Sequence, residues 1–174
     1  MNILTDKLPA GVMIDGKKYR VNTDFRTGLK IINYAEKYSG VRLLIYALKT
    51  FYVEMPEDIA LAIEGMKKFY HGESGGSEGN GKKLFSFEKD AEYIFSSFYT
   101  QYGINLAQDD MHWYVFSALL KGLCGENAFS KLLEIRTLDV SEIRDDKHRT
   151  KLERLKHKYS LEKMSIDEGL RRVF

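Results

Sequence analysis

The sequence predicts a mostly α-helical protein, a helical bundle of about six to eight helices with a small β-hairpin near the N-terminus. Apolar residues recur at helical spacing through most of the 174 residues. Only two prolines are present to interrupt helices. Short alternating segments flank an Asp-Gly pair near the start, which is typical of a hairpin. The length corresponds to about one domain, so we expect a single domain over residues 1–174.

The hairpin is expected over residues 12–22. Asp15 and Gly16 supply the positive φ angles that a tight two-residue turn needs, and the segments on either side supply two short strands. A lone hairpin is marginally stable in water. We therefore expect it to pack against the helices that follow.

Three helices are predicted in the first half of the chain. Thr23 or Asp24 can cap the first one, and Gly40 ends or interrupts it. Residues 41–52 suit a second, strongly buried helix. Residues 55–58, Met-Pro-Glu-Asp, are typical of a helix start, with proline in the first turn and acids beside the positive end of the dipole.

A glycine-rich segment, residues 71–83, breaks the helical pattern and is predicted to be a flexible loop. Within it, residues 76–82 fit the spacing G-x-x-x-x-G-K of a phosphate-binding loop. The next residue is Lys83, where such loops need Ser or Thr for magnesium, and a helix rather than a strand precedes the segment. A linker is therefore favoured over a nucleotide site.

The second half predicts further helices. Ser86 can cap a helix that Gly103 stops, and Asp109 or Asp110 can cap the next one. Another helix is expected over residues 126–136, and residues 141–174 form a charged helical tail with a last cap at 165–168. Five residues are expected to be structural, facing inward: Ile94, Phe95, His112, Phe116 and Leu120.

No reaction chemistry is indicated. Lys and Arg total 27 against 25 Asp and Glu, too balanced to favour nucleic-acid binding. The single cysteine excludes an internal disulfide, and no histidine spacing suits a metal. No apolar segment is long enough to span a membrane, and we see no signal peptide. We expect no enzyme activity and no cofactor.

His112 lies in the segment MHWYVFSALLKGL, residues 111–123, beside the only tryptophan of the chain. No second metal ligand or nucleophile lies at helical spacing from it. We therefore expect a partly buried imidazole that hydrogen-bonds a backbone carbonyl or a carboxylate, and that tolerates Gln better than Asp.

Four segments together resemble a bacteriophage family named for gene product fifteen, from phages of Gram-positive bacteria. They are VNTDFRTGLKI after the hairpin, FSFEKDAEYIFSSFYTQYGINL at residues 85–106, MHWYVFSALLKGL at 111–123 and KLLEIRTLDVSEI at 131–143. The third resembles a Leu-His-Trp-Trp-x-Phe pattern, from which Met111 and Tyr114 depart conservatively. The resemblance spans nearly the whole chain and rests on the order and spacing of these segments.

This resemblance implies a role in tail assembly of long-tailed phages. Similar proteins are encoded near the tape-measure gene, and products there resemble chaperones that keep the tape measure soluble while tail-tube subunits polymerise. It implies tape-measure or tail-tube partners, self-association, a location in the cytoplasm of the bacterial host and absence from the mature virion. The alternatives are a structural tail or head–tail connector component and, less favoured, a nucleotide-binding protein.

The aromatic residues near the turn between two predicted helices are the candidate contacts for such a partner. Both faces of each helix carry aromatic side chains there, so some of them are expected to face outward, while a broad core is an equally good interpretation. The candidates are Phe98, Tyr99, Tyr102, Trp113 and Tyr114.

Overall fold

The computed structural model describes residues 2–71, 83–141, 143 and 145–161. Within these residues the chain is mostly α-helical, with seven helices and a two-stranded antiparallel hairpin, which confirms the predicted fold class. The elements in chain order are β1 (Gly11–Ile14), β2 (Lys17–Arg20), α1 (Phe25–Ala35), α2 (Gly40–Phe51), α3 (Ile59–His71), α4 (Ala91–Tyr102), α5 (Trp113–Lys121), α6 (Ala128–Thr137) and α7 (Asp146–Lys158).

The backbone groups into two compact units. The first comprises Met1–Gly81 and Ile104–Gly122, and the second comprises Lys82–Gly103 and Leu123–Phe174. The hairpin, α1, α2, α3 and α5 therefore belong to the first unit, and α4, α6 and α7 belong to the second. A single domain over the whole chain stays a prediction.

The hairpin forms around the predicted turn. Asp15 and Gly16 both have positive φ, 46° and 74°, which is the backbone of a type I′ turn. Gly11 pairs with Arg20 and Ile14 with Lys17, so the strands are shorter than the expected 12–22 segment. Ile14 is buried and joins the core of the first unit. The hairpin thus packs on the helices, as its marginal stability requires.

The core of the first unit lies where the hairpin meets α2 and α3. Phe51 has no exposed surface and contacts Phe69 edge-on at a ring-centroid distance of 5.1 Å. The Tyr52 hydroxyl donates to the carbonyl of Ala62 at 2.8 Å, and burial raises the pKa of Tyr52 to about 12. The Asp58 carboxylate accepts from the backbone N–H of Leu61, which confirms the helix start expected at residues 55–58.

α2 differs from the expectation of a strongly buried helix. Ala47, Leu48 and Phe51 are buried on one face, but Val41 and Ile45 are 72% and 50% exposed on another. The expectation was wrong because the apolar run covers more of the helix circumference than the core can contact. One turn of α2 therefore presents apolar side chains to solvent.

α1 begins as predicted, with Asp24 as its N-cap. The Asp24 side chain accepts from the backbone N–H of Arg26 at 2.9 Å. The Arg26 guanidinium pairs with Asp110 at 3.1 Å and donates to the carbonyls of Leu106 and Asp109. These bonds attach the segment before α5 to the first turn of α1.

The predicted cap of α5 was wrong, since His112 is the N-cap rather than Asp109 or Asp110. Asp109 instead accepts from the backbone N–H of Asn105 at 2.8 Å, and Asp110 pairs with Arg26. Both carboxylates are therefore engaged before the helix begins. His112 precedes the helix and is not the first residue of its inward face.

The second unit is centred on a buried ion pair between the start of α4 and the end of α6. Arg136 Nη1 and Nη2 donate to the two carboxylate oxygens of Asp90 at 2.6 and 2.8 Å. Burial alone would raise the pKa of Asp90, but the Arg136 guanidinium and the Ser86 N–H outweigh it and hold that pKa below its usual range. Arg136 also donates to the carbonyls of Leu84 and Tyr159, so one side chain connects four parts of the unit.

α4 begins four residues later than a Ser86 cap implies, and that prediction was wrong. The Ser86 hydroxyl accepts from the backbone N–H of Lys89 within a turn that precedes the helix, and Asp90 is the N-cap position. The helix ends as predicted, because Gly103 has a φ of 70° that suits the left-handed C-terminal position.

The last two described helices lie close to their expected places. α6 begins after its N-cap Asn127, within two residues of the prediction. The described tail holds one helix, α7, capped by Asp145 and exposed along most of its length. Residues 162–174 of the expected charged tail, 141–174, lie outside the described residues. The last cap, at 165–168, lies outside the described residues.

Candidate functional site

Groups for reaction chemistry do not converge in the described part of the chain. No cluster of three or more His, Cys, Asp or Glu residues there suits a metal ion. Cys124 is an exposed free thiol. The phosphate-loop-like residues 76–82 lie outside the described residues. None of the described helices combines the length and apolar character needed to cross a membrane.

The first unit instead contains an open groove of about 1430 Å³. Its walls come from the N-terminal segment with β1 and from α1, α3 and α5. We call it the hairpin groove and define it by its lining, which is drawn from residues 6–13, 28–32, 65–70 and 113–121. All of these elements belong to the first unit. The groove therefore depends on the fold of that unit alone.

Trp113 and Tyr70 form an aromatic pair in the lining of the groove. Their rings meet edge to face, with centroids 5.1 Å apart. Trp113 is positioned by the backbone, because its N–H donates to the carbonyl of Thr23 at 2.8 Å, just before α1 begins. Burial raises the pKa of Tyr70 above its usual value, and neighbouring Tyr114 adds to the rise. This part of the lining is thus aromatic and uncharged.

Two glycines in helix interiors allow the elements around the groove to approach closely. A Cβ atom on Gly28 would lie 2.5 and 2.6 Å from carbons Cε3 and Cζ3 of Trp113. A Cβ atom on Gly65 would lie 2.8 Å from the Tyr52 hydroxyl. Glycine inside a helix is unfavourable by about 1 kcal/mol relative to alanine. The close approach of Trp113 to Gly28 and of Tyr52 to Gly65 explains why both positions are glycine.

His112 hydrogen-bonds two residues of the groove lining, Pro9 and Tyr114. Its Nδ1 accepts from the backbone N–H of Tyr114 at 3.1 Å, and its Nε2 lies 3.1 Å from the carbonyl of Pro9. Both bonds form when the neutral ring carries its proton on Nε2. The expectation of a partly buried imidazole bonded to a backbone carbonyl is met, with the N-cap as an additional role. His112 links the N-terminal segment to α5.

Four exposed lysines contribute to the lining of the open groove, and we call them the lysine rim. They are Lys7, Lys67, Lys68 and Lys121. Asp6 is the one acidic residue in the lining, and its carboxylate accepts from the N–H of Asn2 at 2.7 Å and from the hydroxyl of Thr5. The rim is therefore strongly cationic, although the whole chain has a net charge of only +2.

The structure places the five candidate contact residues in different units. Phe98, Tyr99 and Tyr102 belong to the second unit, whereas Trp113 and Tyr114 line the groove of the first. Phe98 has no exposed surface, and Tyr99 is 56% exposed. Tyr102 is half-buried and packs against Phe98 with ring centroids 5.6 Å apart.

The residues expected to be structural also differ in exposure. Ile94 and Phe116 are buried, and Leu120 is half-buried. Phe95 is 38% exposed, and its ring lies parallel to that of Tyr99 at 6.5 Å. Phe95 therefore belongs to an outer aromatic pair on α4 rather than to its buried face.

Sequence reasoning missed most of the groove. Trp113 and Tyr114 were identified, but Tyr70, the lysine rim and the contribution of β1 were not. The rim could not be found because its lysines are separated in sequence and come together only through tertiary packing. Gly28 and Gly65 did carry a signal, since a glycine inside an otherwise regular helical pattern usually has a packing reason.

The described residues thus define a mostly α-helical protein that presents a lysine-rimmed aromatic groove. A family model described as "Bacteriophage Gp15 protein" matches residues 4–161. The chain belongs to this bacteriophage family. No curated protein and no solved structure matches the chain significantly.

Proposed function

We propose that this protein is a tail-assembly chaperone that binds the tape-measure protein of its phage. It acts in the cytoplasm of the host bacterium, has no enzymatic activity and is absent from the finished virion. Family membership supports a structural or assembly role in a phage. The hairpin groove is the observation on which the binding role rests, because an open aromatic groove suits an apolar segment of another protein.

A tape-measure protein needs protection from aggregation before the tail tube covers it. A tape measure is a long helical protein whose apolar stripes are exposed until the tail tube covers them, and exposed apolar surface promotes aggregation. A partner that binds the exposed state shifts the equilibrium away from aggregation by mass action. Apolar side chains outside the groove, Val41 and Ile45 on α2, add surface for self-association or for tail-tube subunits.

Co-expression with the tape-measure protein of the same phage tests the proposal. The tape measure is expressed alone, with this chain, and with an unrelated helical protein of similar size as the control. Affinity pull-down, followed by light scattering of the eluate, measures solubility and stoichiometry. We expect soluble tape measure only with this chain. A tape measure that stays insoluble while this chain elutes alone would refute the chaperone function.

A structural component of the tail or of the head–tail connector is the second candidate. The exposed apolar stripe on α2 favours it, because permanent subunit contacts are apolar. Mass spectrometry of purified particles separates the two functions. A stoichiometric amount of this chain in the virion supports the structural role and contradicts the chaperone.

Nucleotide binding through residues 76–82 is the least favoured alternative. Deletion of residues 71–81 tests it, with ATP and GTP added to both proteins during thermal unfolding. We expect nucleotide to leave the melting temperature of the intact chain unchanged. A rise that disappears on deletion would assign the segment a binding role.

A further inference from the structure

We propose that the hairpin groove binds an acidic amphipathic helix of a partner protein. The inference names the surface and the chemistry of the partner. It rests on the proposed function only for the identity of that partner, the tape measure. The groove, its lysine rim and its aromatic pair are properties of the first unit itself.

Charge complementarity selects an acidic partner. Four lysines and one carboxylate, Asp6, line the groove, which leaves an excess of three positive charges. A segment with acidic side chains flanking an apolar stripe would place its carboxylates against the rim. Such pairs increase the association rate and disfavour basic partners. A basic helix would meet like charges on the side formed by Lys67 and Lys68.

The arrangement of the rings selects an apolar side chain over a nucleic-acid base. Tyr114 already stacks on Phe69 at 5.1 Å, and the Trp113 ring lies against Gly28 and edge-on to Tyr70. Bases bind proteins by stacking on free aromatic faces, and each of these two rings already packs on another side chain or on the backbone of α1. Val12, Met13 and Ile31 extend the lining with aliphatic surface. Leucine-like side chains of a helix suit this lining.

Trp113 provides a direct reporter, because it is the only tryptophan in the chain and lines the groove. The probe is a designed peptide of about 18 residues, about 27 Å long as a helix, with leucines on one face and glutamates on the other. A matched peptide carries lysines in place of the glutamates, and neither contains tryptophan or tyrosine. The full-length protein is titrated with each peptide while Trp113 fluorescence is recorded.

We expect the acidic peptide to change the Trp113 emission in a saturable way and the basic peptide to leave it unchanged. The double variant Lys67→Glu/Lys68→Glu is expected to lose about tenfold or more in affinity for the acidic peptide, equivalent to about 1.4 kcal/mol. It should also gain binding of the basic peptide. The matched control is Lys30→Glu/Lys49→Glu, which makes the same charge change at exposed lysines of the same unit that do not line the groove.

Three results would overturn the inference. The first is equal binding of the acidic peptide by both double variants. The second is tighter binding of a thymine oligonucleotide than of the acidic peptide, which would assign the groove to nucleic acid. The third is a change of self-association, seen by sedimentation, in Lys67→Glu/Lys68→Glu without any change in peptide binding, which would assign the groove to a second copy of the chain.

The outcomes separate this inference from the proposed function. If the wild-type chain solubilises the tape measure and Lys67→Glu/Lys68→Glu does so equally well, the chaperone function stands and the groove is not its surface. If the acidic peptide binds as expected but the tape measure is not solubilised, the groove stands and the partner is another protein.

Discussion

The close contact between Gly28 and Trp113 makes Gly28→Ala an informative substitution. The new methyl group would lie 2.5 and 2.6 Å from two carbons of the indole ring and 3.2 Å from Tyr70. Contacts under 3.0 Å require atoms to move. The indole is not the free end of a flexible chain, since Tyr70 and Phe116 pack against it. The helix or the ring therefore has to shift.

The expected magnitude follows from two opposing effects. Alanine in place of glycine inside a helix stabilises it by about 1 kcal/mol. Overpacking of a well-filled site costs about 1–3 kcal/mol. Because Gly28 is buried and the overlap reaches about 1 Å relative to an ordinary contact of about 3.5 Å, the strain exceeds the gain. A cost of about 1–3 kcal/mol less a gain of about 1 kcal/mol predicts that the free energy of unfolding falls by up to about 2 kcal/mol.

Denaturant unfolding followed by far-ultraviolet circular dichroism and by Trp113 fluorescence measures this change. The control is the same substitution in a Trp113→Phe background, where the smaller ring relieves the overlap. There Gly28→Ala should be neutral or stabilising, and the double-mutant cycle isolates the contact. If Gly28→Ala stabilises the otherwise wild-type chain by about 1 kcal/mol and leaves the fluorescence unchanged, the described contact is wrong.

Three further changes have defined outcomes. The folded pKa of Tyr52, about 12, exceeds the unfolded value near 10. The contribution of the neutral Tyr52 to the stability of the folded state is therefore complete below pH 10 and is lost as the pH rises toward 12. Denaturant midpoints across this range should show a loss of unfolding free energy on the order of 2 kcal/mol. Asp90→Ala leaves the guanidinium of Arg136 buried without its carboxylate, so thermal unfolding should show a loss of about 3–5 kcal/mol. His112→Asp should exceed His112→Gln in stability to urea by about 1 kcal/mol, because a short carboxylate can accept the Tyr114 N–H at the N-cap.

Each of these three predictions has a control variant or a result that would contradict it. Tyr52→Phe removes the titrating group, so its alkaline loss should be smaller; an equal loss would assign the effect to other groups. Asp90→Ala combined with Arg136→Met removes both charges and should recover part of the stability; a purely additive loss contradicts the coupling. A His112→Gln variant as stable as His112→Asp contradicts the N-cap role.

The expectation that His112 tolerates Gln better than Asp shows a limit of periodicity. The sequence pattern placed His112 on the inward face of a helix, where a carboxylate would be unfavourable. The structure places it one residue before the helix, where Asp is among the preferred residues. Periodicity does not locate a helix start to one residue, and because of that one residue we now predict the opposite order of stability for the two substitutions.

Local chemistry explains which elements were predictable. The Asp15–Gly16 turn, the Asp24 cap and the Gly103 stop depend on the backbone preferences of adjacent residues, and all three were found. The Ser86 cap and the cap at Asp109 or Asp110 were wrong because other groups hold the carboxylates near the two helix starts. Asp109 accepts from the backbone N–H of Asn105, four residues away. Asp90 is held by Arg136, and Asp110 by Arg26, across more than 40 residues of sequence.

The sequence by itself determined the helical class, the hairpin turn and the resemblance to a phage family, because these depend on residue order and on local backbone energetics. Only the tertiary structure decided that β1, α1, α3 and α5 enclose one groove and that Lys67 and Lys121 lie on its rim. The physical reason is that exposed lysines have no periodic signature. Their common position arises only when distant helices pack, and Gly28 allows that packing by letting Trp113 approach α1.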